Sequence, residues 1–141
     1  MHIIGKVILV FILLAGALPV FSQEKQPVRP YSSARASHGM LYVSGQVGID
    51  PATGKLANET FEKEVSVVMG NIREILRQSG IDLSAIVNVT VYLKDMSQYA
   101  VFNRLYTLYF TAPFPARSCV AVKDLAAGAN LEVSVVASLK E

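Results

Sequence analysis

The sequence predicts an α+β domain in which two helices cover one face of a mixed β-sheet. Three observations lead there. Several short segments alternate apolar and polar residues, and two longer segments repeat apolar residues at helical spacing. The strand face turned away from the helices is polar, yet too regular to be loop. The expected order is β-β-α-β-α-β-β, with a further strand around residues 34–38.

Residues 40–46 are β-rich, with Leu41 and Val43 on one face and Tyr42 and Ser44 on the other. Asp50, Pro51 and Gly54 mark a turn, and a second strand is expected after it. Gly48 and Gly54-Lys55 suggest a phosphate loop only superficially. The glycines are one residue too far apart, and Leu56 stands where a hydroxyl should meet magnesium. Phe61, Val65, Val68, Ile72, Ile75 and Leu76 then form a helical stripe, with Glu62 and Glu64 near its start, Arg73 and Arg77 near its end, and Gly80 stopping it. Val87, Val89, Val91 and Leu93 alternate with Asn88, Thr90, Tyr92 and Lys94 as a half-buried strand. A second helix is expected from 97 to 110, striped by Tyr99, Phe102, Tyr106 and Tyr109 and barred from continuing by Pro113 and Pro115. Two strands follow, at 117–122 and 131–139. Thr90, Tyr92, Glu132 and Ser134 make the far face polar, which suits a wet interior between subunits.

Residues 1–22 read as a signal peptide: Lys6, an apolar run from Val7 to Leu18, and a Val20-Phe21-Ser22 cleavage site before Gln23. The run is shorter than the roughly 20 apolar residues of a membrane span. The expected product is an exported single domain, 23–141, periplasmic or secreted, with no stable membrane association once the signal is removed. Its charges nearly balance and its basic residues do not cluster, which excludes nucleic acid as a partner. The only cysteine, Cys119, cannot form an internal disulfide and is expected to be shielded. No metal-ligand spacing occurs, since His2 leaves with the signal and His38 stands alone.

The chemistry-bearing segment is Pro115-Ala116-Arg117-Ser118-Cys119-Val120, followed by Leu131-Glu132-Val133. Arg117 is either a surface arginine or a planar fork for a substrate carboxylate. Glu132, flanked by apolar residues, is either a solvated edge residue or an acid/base group orienting water. These residue types alone leave both pairs of alternatives open. With Pro30-Tyr31-Ser32, Val43-Ser44-Gly45-Gln46, Asn71-Ile72, the run from Thr90 to Met96, and Phe102-Asn103-Arg104-Leu105-Tyr106, however, the segment resembles the RidA family of imine deaminases across about residues 30–137. The chain departs from the common pattern at Arg29, Ala126 and Ser134.

The resemblance implies a chorismate-mutase-like fold, a homotrimer, and ligand sites in clefts between subunits. It implies hydrolysis of 2-imino and enamine acids to 2-keto acids and ammonium, without metal or organic cofactor. Arg117 would grip the carboxylate, the backbone of Cys119 would meet the imine nitrogen, and Glu132 would position water. Tyr31, Ser44, Gly45 and Asn103 would complete the pocket, with Arg117 on one chain and Tyr31 or Asn103 on its neighbour. The alternative is a non-catalytic protein that binds small carboxylates such as keto acids in the same clefts.

Overall fold

The computed structural model describes residues 29–139, so the signal expected at 1–22 lies outside the described residues. Five strands, β1 (Ala34–Ser37), β2 (Met40–Val47), β3 (Ile86–Leu93), β4 (Ala116–Ala121) and β5 (Leu131–Ser138), form one sheet in the order β1-β2-β5-β3-β4. The β3–β4 pair is parallel and the other pairs are antiparallel, so the sheet is mixed as expected. His38 and Gly39 turn β1 into β2 with φ of 49° and 72°, the left-handed pair that a two-residue hairpin demands. The strand expected after the 50–54 turn is reduced to a single bridge between Ile49 and Leu56.

Helix α1 (Phe61–Gln78) begins where the Thr60 side chain accepts from the Lys63 amide at 3.1 Å, and Gly80 follows its end at φ 75°. Its stripe of Val65, Val68, Met69, Ile72 and Leu76 is buried against Leu41, Val43, Val89, Val91, Val133 and Val135. Glu64 is no surface partner of the helix dipole: it is fully buried. Its carboxylate accepts from the Asn130 amide at 2.7 Å, the Asn130 Nδ2 at 2.8 Å and the Leu131 amide at 3.2 Å. These bonds satisfy a buried carboxylate and tie the start of α1 to the start of β5. Asn71 makes the matching tie to the end of β2, donating to the Ile49 carbonyl at 2.9 Å.

Helix α2 (Tyr99–Tyr106) is shorter than the stripe predicts. A 3₁₀ turn over Met96–Gln98, capped by Asp95, precedes it. Beyond it, Leu108 and Tyr109 donate three residues back, at 3.0 Å each, and the helix tightens out of phase. Tyr109 still packs against the core, half-buried, and Phe110, whose amide donates to the Tyr106 carbonyl at 3.3 Å, is the buried ring beside it. Val87 is a second correction. Ile86 faces Ala137 and Asn88 faces Val136, which leaves Val87 as the extra residue of a bulge, 45 % exposed. Thr90 opposite Ser134 and Tyr92 opposite Glu132 do build the polar face.

Candidate active site

Arg117 lies opposite Val89 and Cys119 opposite Val91 in the β3–β4 pair. Both valines are buried against the helices, so Arg117 and Cys119 share the helix-bearing face. The guanidinium carbon of Arg117 sits 4.7 Å from the Tyr106 ring centroid, 5.7 Å from Phe102 and 5.9 Å from Tyr99. Its Nη2 donates to Asn103 Oδ1 at 2.7 Å. None of the ion pairs among the described residues involves it. A guanidinium carries five N–H donors. This one is oriented by an aromatic bed and one amide, left without an acid, and set in a cleft of about 310 Å³ with Thr107, Phe114 and Pro115.

Sequence reasoning read the α2 aromatics only as a packing stripe. Their second role follows from two facts taken together: rings at helical spacing, and an arginine on the strand beneath them. Burial pushes the Tyr106 hydroxyl above its ordinary pKa, and Arg117 pulls the other way. Burial likewise raises the half-buried Cys119 thiol against the pull of Arg117, so the thiol stays protonated near neutral pH. That chemistry suits a backbone role for Cys119 and not a thiolate nucleophile.

Glu132 stands on the other face, abreast of Tyr92 in β3 and Val47 in β2. The register of β2 against β5 slips between Val43 and Gln46, and Ser44 and Gly45 occupy the slip. A Cβ on Gly45 would collide with Glu132, coming within 2.7 Å of its Cδ. Glycine here makes room for the carboxylate. Ser44 Oγ donates to the Ser32 carbonyl at 2.7 Å and its amide to the Ser33 carbonyl at 3.0 Å. These bonds strap the incoming chain along β2, and Tyr31 and Ser44 line one cleft of about 440 Å³.

The expected residues thus fall into two groups. Arg117, Asn103 and Cys119 are together on the helix side, whereas Glu132, Gly45, Ser44 and Tyr31 are on the far side. Asn103 is the partner of Arg117 within one chain, which corrects the expectation that it reaches in from a neighbour. Among the described residues, no group of three His, Cys, Asp or Glu side chains is arranged to hold a metal ion, and no helix is long and apolar enough to cross a membrane.

A family model described as Endoribonuclease L-PSP matches residues 21–139. A RutC family protein of Sinorhizobium fredii is 43% identical over 112 residues, 79% of this chain and 89% of that protein. The human 2-iminobutanoate/2-iminopropanoate deaminase is 36% identical over 120 residues, 84% of this chain and 88% of the human one. The chain belongs to the RidA family. Its fold is the family's: RidA from the Antarctic bacterium Psychrobacter sp. PAMC 21119 superposes with a TM-score of 0.76 at 33% identity, over 81% of this chain and 92% of that one. Escherichia coli TdcF with bound serine superposes with a TM-score of 0.75 at 27% identity, over 80% and 91% of the two chains. Imine deamination is an activity named for members of the RidA family.

Proposed function

We propose that this RidA protein hydrolyses 2-imino acids and their enamine tautomers to 2-keto acids and ammonium, in clefts shared between copies of a homotrimer. The observation that carries the reading is Arg117, a preset fork without an acid partner at the mouth of a cleft. A planar carboxylate satisfies two of its free donors at once. The bare polar sheet face, with Tyr42 and Val120 about half exposed, gives the copies a surface to cover. Covering it would bring the Glu132 group of one chain against the Arg117 group of the next.

In such a cleft Arg117 holds the carboxylate and the Cys119 backbone meets the imine nitrogen. Glu132 orients a water and takes its proton as the oxygen bonds to C2. The nitrogen is protonated, the C–N bond of the resulting carbinolamine breaks, ammonia leaves, and the hydroxyl gives up its proton to form the keto group. The protein named Reactive Intermediate Deaminase A in Arabidopsis thaliana, 38% identical over 85% of this chain and 65% of that protein, supports the reading.

The test is pyruvate release from 2-aminoacrylate generated in the presence of the purified domain. Acceleration is expected, and Arg117→Lys should lose at least about tenfold in kcat/KM, because a point charge cannot reproduce the fork. Saturable keto-acid binding with no acceleration would leave the non-catalytic carboxylate-binding alternative standing, a reading that the serine in TdcF favours. We further propose that the domain acts after export. Protein recovered from its own cells is then expected to begin at Gln23, and an intact residue 1 on soluble cytoplasmic protein would rule that out.

A further inference from the structure

The cleft that holds Tyr31 and Ser44 has another wall, made by Arg35 and Tyr42. Arg35 is abreast of Tyr42 across the β1–β2 pair, and therefore projects on the face of Ser44 and Glu132. It is exposed and takes part in none of the ion pairs among the described residues. Glu132 is not its counterion. Tyr42 continues across the sheet to Val136, four residues beyond Glu132, so Arg35 and Glu132 stand about 13 Å apart along the strands and two strand spacings, about 10 Å, across them. Each half of the site therefore brings one guanidinium without an acid: Arg117 on the helix side and Arg35 on the far side.

We propose that the site selects 2-imino acids whose side chain ends in a second carboxylate, and that Arg35 is the residue that receives it. This assignment, which rests on the shared cleft proposed above, gives Arg117 the carboxylate beside the reacting carbon. Glu132 works at that carbon, and Arg35 waits further along the same sheet face. The separation between them is bridged by the long arginine side chain together with an extended substrate arm. A longer arm closes it better, so the expected order is glutamate-derived, then aspartate-derived, then alanine-derived imine.

The imines are generated in situ from the three D-amino acids by flavin amino-acid oxidases, and their disappearance is followed by competition with semicarbazide trapping. The glutamate-derived imine should be hydrolysed with kcat/KM about tenfold above the alanine-derived one, the worth of one charge-assisted contact. Arg35→Gln should remove that advantage through KM and leave the alanine-derived imine unchanged. Because Arg35 takes part in none of the ion pairs among the described residues, its variant should melt with the unaltered protein. Equal kcat/KM for the glutamate and alanine imines, or an Arg35→Gln loss that falls on both alike, would overturn the assignment. Should no imine be hydrolysed at all, the deaminase reading fails on its own. Calorimetric titration then decides the role of Arg35: 2-oxoglutarate must bind more tightly than pyruvate, and Arg35→Gln must abolish the difference.

Discussion

Arg117→Ala protein and Glu132→Gln protein, each about a hundredfold or more below the unaltered rate, should recover activity when unfolded together and refolded as a mixture. The recovery follows from the two faces of the sheet. Arg117 lies opposite buried Val89 and Glu132 opposite Tyr92, so no single chain brings them together. If the cleft joins two chains, a clean site arises wherever a Glu132→Gln chain supplies the arginine and an Arg117→Ala chain supplies the glutamate. Random mixing in a closed ring makes that about one cleft in four. Arg117→Ala mixed with Asn103→Ala should recover nothing, because both residues belong to the same half and every cleft then carries one defect. Turnover measured before and after mixing, with the assembled mass from light scattering, checks both statements. A fully active monomer would refute the shared site.

Gly45→Ala should cost about a hundredfold or more in turnover while leaving the domain as stable as before. The added methyl needs the space of the Glu132 carboxylate, and that side chain must swing away from wherever it holds water. The backbone itself does not resist alanine, since Gly45 is not among the glycines held at positive φ. Replacing glycine at a compatible position even favours the folded state by about 0.4–1 kcal/mol, through the unfolded chain. Loss of kcat with an unchanged or raised melting temperature is thus the expected pattern. Unaltered turnover in Gly45→Ala would remove Glu132 from the mechanism.

The parts of the fold that could be read from the sequence are those governed by a single local period. The alternation from Val89 to Leu93 and the stripe from Val65 to Leu76 depend only on which residues point inward, and both stand in the structure. Where the period slips, it misleads. Val87 keeps the alternation on paper, but the bulge at Ile86 and Asn88 turns it outward. The bulge is set by β5, a partner distant in sequence that no local window contains. Tyr109 does keep its place against the core, and what the stripe misses is Phe110, the more deeply buried ring next to it.

The residues of the candidate site were legible as a set, but their arrangement was not. Arg117 and Cys119 are two residues apart in a strand, so the two-residue period alone puts them on one face. Which face that is depends on the pairing of β4 with β3, and the same holds for Glu132 in β5. Glu64 did leave a trace: it stands in line with Val68 and Ile72, four and eight residues on, where an acid on an apolar stripe calls for a buried partner.

That partner gives the loop between β4 and β5 an unusual freedom. The chain at Asn130 and Leu131 is fastened to the Glu64 carboxylate, and the Lys94 amide donates to the Asn130 carbonyl at 3.0 Å. The starting point of β5 is therefore dictated by helix α1 and the end of β3. The segment arriving from β4 has no say in it. Between Val122, whose amide still donates to the Leu93 carbonyl, and the fully buried Ala129, residues 123–128 can lengthen, shorten or change composition during descent without shifting Glu132 by a register step, and a reporter peptide or affinity handle inserted among them would be tolerated for the same reason.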